Sequence, residues 1–196
     1  DFNRNFTYMQ TDGETPRTYS DDSDGIFAIS TSARDQVTSL PSKVNIGGLI
    51  RNIPDRMFCN LPITDLVIPG TVTTIGNDVF NGCTRLSSIV FNPDEAEEPV
   101  ALTIGYNADG TDEGLFLDSP LTTIMLDREL NYTFASESGT IDSSSEGLFN
   151  GKSTITSVTL GSQVRTLSPY LFANTQITSI NIPANVISIG RNAFDG

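Results

Sequence analysis

Met57-Phe58, Val79-Phe80, Leu115-Phe116, Leu148-Phe149, Leu171-Phe172 and Ala193-Phe194 each close a similar stretch of this 196-residue chain. The stretches form an internal repeat. A repeat unit this short cannot bury its own apolar face, so copies must stack. The chain is therefore constrained to a repeat solenoid, and a solenoid presents an extended surface.

The spacing within a unit specifies its path. One unit runs Ile63, Leu66, Ile68, Pro69, Val72, Ile75, Gly76, Val79-Phe80. The sixth runs Ile177, Ile180, Ile182, Pro183, Val186, Ile189, Gly190, Ala193-Phe194, and the fifth Ile155, Val158, Leu160, Gly161, Val164, Leu167, Leu171-Phe172. The first is more degenerate: Val44, Ile46, Gly47, Ile50, Ile53, Met57-Phe58. Aliphatic residues two apart lie on one face of a short strand. The following Pro or Gly stops that strand. A second apolar pair, then Gly, turns the chain back, and Phe fills the centre of the coil. Strands of successive coils pair in parallel about 4.8 Å apart, so six coils span roughly 25–30 Å.

Unit starts at Pro41, Ile63, Leu86, Leu121, Ile155 and Ile177 lie 22, 23, 35, 34 and 22 residues apart. The units are thus 41–62, 63–85, 86–120, 121–154, 155–176 and 177–196, with units three and four enlarged. Their period of about 22–23 residues falls in the leucine-rich-repeat range. The run Ile63-Thr-Asp-Leu-Val-Ile-Pro-Gly-Thr-Val-Thr-Thr-Ile-Gly-Asn-Asp-Val-Phe-Asn-Gly-Cys83 resembles the repeat of BspA-like leucine-rich-repeat proteins, also called the Treponema pallidum type. The resemblance covers about residues 41–196. It implies a mostly β, right-handed coil with short parallel strands and few helical turns. The chain departs from it in unit four, where Thr133 and Phe134 replace the Ile-Gly step. Cys three residues after Phe occurs only at Cys83. The family is mostly secreted or cell-surface proteins of host-associated anaerobic bacteria. It implies adhesion or ligand binding, and it brings no catalytic residues with it.

Residues 1–40 lack the repeat and read as an N-terminal cap, which an end coil needs. Gly25-Ile-Phe-Ala-Ile29 reads as a strand, and Thr31 or Ser32 caps a short helix over 33–40. The other end stops at Gly196 with no cover, so either the natural chain continues or another molecule covers that coil. An export signal is not present in this chain; an extracellular location follows from the resemblance alone. No stretch has the roughly 20 apolar residues of a membrane span.

The formal charge is −13, which disfavours nucleic acid as a partner. From Asp94 to Glu146 there are 13 acids against only Arg128, and the remainder is nearly balanced at 11 acids to 10 bases. Register puts about six extra residues between Phe91 and Ala101, about seven between Ile104 and Phe116, and about eleven between Thr133 and Phe149. The second and third insertions occupy one point of neighbouring coils, so they emerge side by side as a paired acidic protrusion. Its candidate partner-binding residues are Tyr106, Asp109, Asp112, Glu113, Tyr132, Glu137, Asp142 and Glu146. Solvated loops of this composition need no function to explain them. A cationic partner surface or calcium is the sharper alternative. Asn107, Asp109 and Asp112 place oxygens close together but lack EF-hand spacing, and Asp21-Asp-Ser-Asp-Gly25 is a similar weak candidate.

Other chemistry is thin. The chain has no His, which removes Ser-His-Asp triads and His-containing zinc sites. No cofactor motif occurs. Paired carboxylates could act on glycosides, but these acids lie in loops expected to be open to water, so no enzyme is expected. Cys83 reads as a small buried apolar residue, and Cys59 lies out of step with it, which argues against a disulfide. Phe58, Phe80, Phe116, Phe149, Phe172 and Phe194 read as the structural core. The expected function is a non-enzymatic surface or secreted module that binds a protein, matrix or glycan ligand. The alternatives are a structural spacer and a carbohydrate-binding accessory, the latter resting on Tyr106 and Tyr132.

Overall fold

The structure is a computed structural model that describes residues 7–9, 16–18, 42–96, 99–105, 115–132 and 147–196. Every described element is a strand or a turn. Near the N-terminus, β1 (Thr7–Met9) and β2 (Pro16–Thr18) pair antiparallel, a hairpin the sequence reading did not foresee. The strand expected at 25–29 and the helix at 33–40 lie outside the described residues.

The stack begins with two parallel sheets. The first orders β4 (Asp65–Ile68), β6 (Ser88–Phe91), β8 (Thr123–Leu126) and β10 (Ser157–Leu160) side by side, one strand from each of coils 2 to 5. Register is residue for residue: Leu66, Ile89, Ile124 and Val158 form one column and Ile68, Phe91, Leu126 and Leu160 the next. All eight are buried, while Asp65, Val67, Thr123, Met125, Ser157 and Thr159 between them are exposed. Offsets read as inward therefore are inward. Each buried aliphatic residue contributes about 1.5–3 kcal/mol over leaving it in water.

The second sheet orders β3 (Asn52–Ile53), β5 (Thr74–Ile75), β7 (Leu102–Ile104) and β9 (Leu130–Tyr132), from coils 1 to 4. It then breaks. A separate pair, β11 (Thr166–Leu167) and β12 (Ser188–Ile189), continues in coils 5 and 6. The alternation expected at Val44 to Ile46 and at Ile180 to Ile182 forms no strand.

The third side of each coil has no strands but is still laddered. Arg56, Phe58 and Asn60 donate their N–H groups to Asn77, Val79 and Asn81 carbonyls of the next coil, at 2.8, 3.1 and 2.8 Å. Tyr170, Phe172 and Asn174 do the same to Arg191, Ala193 and Asp195. Left-handed residues flank the Phe58 and Phe172 rungs of this ladder. The residue two before Phe is left-handed at Arg56, Asp78, Tyr170 and Asn192, and the residue two after it at Asn60, Asp118 and Asn174. Glycine takes that second place at Gly82 and Gly151, where a positive φ carries no Cβ penalty.

Phenylalanine rings run through the centre. Phe58, Phe80, Phe116, Phe149, Phe172 and Phe194 succeed one another at centroid distances of 6.0, 5.4, 5.5, 5.5 and 5.8 Å, all near-parallel. In coils 2, 3 and 4 the residue three after Phe serves the coil below, whereas the Thr175 hydroxyl of coil 5 donates to its own Phe172 O at 2.8 Å. The Cys83 thiol donates to Phe58 O at 3.1 Å and the Ser119 hydroxyl to Phe80 O at 3.1 Å. The Lys152 ammonium does so to Phe116 O. Burial lowers the Lys152 pKa, partly offset by Asp118. Cys83 is buried as expected, yet the place it fills is a hydrogen-bond donor position rather than only an apolar one.

Candidate interaction surface

Three surfaces of the stack differ in chemistry. On the first sheet, the outward residues are Asp65, Ser88, Thr123 and Ser157 in one column and Val67, Val90, Met125 and Thr159 in the other. This face carries a single carboxylate, whose Oδ2 accepts from the Thr64 hydroxyl at 2.7 Å. Hydroxyl and aliphatic groups alternate across it without a basic side chain.

The second surface carries the acidic insertions. Of the sequence-predicted partner residues, Tyr106, Asp109, Asp112, Glu113, Glu137, Asp142 and Glu146 lie outside the described residues. So do Asn107 and the segment 21–25 suggested for calcium. What the structure does describe is their roots. One insertion leaves after Ile104 at the end of β7, the other after Tyr132 at the end of β9, and these two residues are register partners. The insertions return at Phe116 and Phe149, whose rings stack at 5.5 Å. Both ends of both segments are therefore neighbours.

Tyr132 itself occupies a different register from the one read in the sequence. Thr133 was expected at the Ile step of unit four. Instead, Tyr132 pairs with Ile104, which in turn pairs with Ile75. The cause is the turn Asp127-Arg128-Glu129, one residue shorter than its counterpart in coil 2: Tyr132 follows Leu126 by six residues, whereas Ile75 follows Ile68 by seven.

The third surface is the flank at that turn, and sequence reasoning missed it. Arg128 was read only as the lone base in an acidic stretch. It is 1 % exposed and donates to Gly70 O at 3.3 Å, Val72 O at 2.7 Å and Val100 O at 3.1 Å. Burial draws its pKa below the ordinary arginine value, and nearby Asp94 opposes that. Asp94 was counted among solvated acids, but it is 7 % exposed. Its carboxylate accepts from Ala96 N–H at 3.0 Å and Val100 N–H at 2.9 Å. Asp127 accepts from Gln163 N–H at 3.0 Å, and Glu129 from Arg165 N–H at 2.8 Å and Thr166 N–H at 3.3 Å. Glu129 thus supplies the acceptor where the second sheet is broken. Three of the 13 acids are structural, because backbone N–H groups left without strand partners needed acceptors. The signal was present: a charged triplet stands where coils 2, 5 and 6 have Pro or Gly.

Among the described residues, no group of three or more His, Cys, Asp or Glu could hold a metal ion. No described helix is long and apolar enough to cross a membrane.

Parallel strand columns, a central phenylalanine queue and a 22–23-residue period define a leucine-rich-repeat solenoid. The family model of the BspA type leucine-rich-repeat region, in six copies, matches residues 23–99 and 101–196, and this chain belongs to that family. The match begins inside the segment read as a cap. A search of curated proteins finds no match. Among solved structures, a leucine rich cell surface protein from Faecalibacterium prausnitzii A2-165 is similar, with 25% identity and a TM-score of 0.37. The similarity covers 96% of this chain and 49% of that one, so this chain spans about half the length of that protein.

Proposed function

We propose that this chain is a non-enzymatic binding or adhesion module, displayed outside the cell or on its surface, whose docking region is the pair of acidic insertions. One observation carries the reading: the two insertions share roots on adjacent coils, at Ile104 and Tyr132 and again at Phe116 and Phe149. Segments 106–114 and 133–146 hold Asp109, Asp112, Glu113, Glu137, Asp142 and Glu146 and no Lys or Arg. Six carboxylates on two segments with neighbouring roots favour a basic protein or matrix surface, by charge complementarity that speeds encounter and weakens with salt. Tyr106 opens the first of these segments in the sequence and Tyr132 directly precedes the second, and both would anchor such a partner. The family supports the general class, and the low-charge sheet face offers a second contact area.

The test is a panel of immobilised matrix proteins, probed with the intact chain and with a variant lacking 107–114 and 135–146. Binding that falls at least tenfold on deletion, and falls with rising salt, supports the reading. Binding that survives both the deletion and high salt assigns the contact to another surface. Circular dichroism of the variant should match the parent, since the core columns lie outside both segments.

A further inference from the structure

A solenoid ordinarily links each coil only to its immediate neighbours, so its stability is close to a sum of local terms and its ends open independently. This chain has links that skip a coil. Asp94 of coil 3 is bound through its backbone to the side chain of Gln163 in coil 5. Its N–H donates to Gln163 Oε1 at 2.9 Å, and its carbonyl accepts from Gln163 Nε2 at 2.7 Å, across 69 residues. Coil 4 contributes only the orientation, through Asp127 holding the Gln163 N–H. In the other direction, Arg128 of coil 4 reaches back to Gly70 O and Val72 O of coil 2 while also holding Val100 O of coil 3.

The insertion of coil 3 is shaped for this. The Asp94 carboxylate gathers the Ala96 and Val100 N–H groups, which closes the segment on itself. Pro93 O then lies against coil 2 at Gly70, where a Cβ would sit only 1.7 Å from it. A glycine is the residue that lets the two backbones meet so closely.

We propose that residues 92–96 and 99–100 form a clasp that welds coils 2 to 5 into one cooperative unit and leaves coil 6 to open separately. Its two crossed second-neighbour links convert a chain of local equilibria into a single block. The block carries the whole first sheet and the roots of both acidic insertions. The clasp thus holds the first sheet and the insertion roots rigid, and it does not depend on the proposed function.

Native-state hydrogen exchange on the full chain tests it. The slow amides of β4, β6, β8 and β10 should share one opening free energy, with those of β12 exchanging sooner. Gln163→Ala should release β10 from the block, so that its amides exchange about tenfold faster relative to those of β4, the scale of a lost hydrogen-bond pair. Ser162→Ala, an exposed neighbour in the same turn, should change nothing. Graded opening free energies across the four strands of the parent chain would overturn the proposal without recourse to any variant. So would a Gln163→Ala chain in which all four strands shift alike, or in which β10 moves no more than with Ser162→Ala.

Discussion

Coils 2 and 6 are nearly the same sentence written twice, yet they differ most in burial. Ile68 is 0% exposed and Ile182 36%; Ile75 is 1% exposed and Ile189 51%; Phe80 is 0% exposed and Phe194 37%. The residues at these offsets are apolar in both coils, and Phe194 stacks on Phe172 much as Phe80 stacks on Phe116. What differs is the neighbour. Coil 2 has coil 3 above it, a strand on each of two sides and the clasp against Gly70. Coil 6 stacks on coil 5 through a two-residue strand. A unit's own pattern sets which side chains point inward, and the coil that follows decides whether they are buried. Stability in this fold is a property of interfaces between repeats.

Truncating the central ring in the two coils should separate them most. Phe80→Ala removes a ring held between Phe58 and Phe116 and should cost about 3–5 kcal/mol. Phe194→Ala, with more than a third of the residue in water already, should cost about 1 kcal/mol. Urea unfolding of both variants measures the difference. Equal costs would show that coil 6 is covered in solution and break the contrast.

Arg128→Met asks how much of the contrast comes from the clasp. The thioether fills part of the space but satisfies none of the carbonyls of Gly70, Val72 and Val100, and it leaves Asp94 without its nearby cation. A loss of about 3 kcal/mol in urea unfolding is expected. A neutral result would mean that packing alone holds coils 2 to 4.

The parts legible in the sequence were those that repeat. Offsets of two residues announced the columns through Leu66 and Ile68, and six recurring Phe residues announced the queue, because stacking makes each column a periodic signal. The left-handed positions were legible in principle: Asn, Asp or Gly recurs two residues before or after Phe at Asn60, Asp78, Gly82, Asp118, Gly151, Asn174 and Asn192. Arg56 and Tyr170 occupy the same place without that signature. The clasp was not legible, since it is built once and burial of a charge leaves no period. Counting Asp94, Asp127 and Glu129 as solvated was reasonable for an acidic run, and it failed because their carboxylates accept backbone N–H groups: Asp94 in its own loop, Asp127 in the turn at Gln163, and Glu129 at the broken sheet. No strand forms at 44–46 or at 180–182, although β4 and β10 stand at the sheet edges in the adjacent coils. The acidic tips rest on sequence, and only their roots are placed by the fold.

Acid gives the mildest test. Hydrogen bonds from Val100 N–H, and then from Ala96 N–H, hold the Asp94 carboxyl below its ordinary value of 3.8, helped by the charges of Arg128 and Arg51 and opposed by burial. A carboxyl depressed in the fold binds fewer protons there than in the unfolded chain. Its contribution is therefore complete above the unfolded value and is lost as pH falls through the folded one. Between neutral pH and about pH 5 the clasp should be unchanged, and below pH 4 it should weaken. Arg128 stays charged throughout, so the loss comes from the two N–H bonds and the ion attraction together. Asp94→Asn keeps one acceptor oxygen and removes the titration. Its stability should sit lower at neutral pH and converge on the parent as pH drops below 4. A parent and variant that remain parallel down to pH 3 would place the acid sensitivity in other carboxylates and leave the clasp to Gln163 and Arg128.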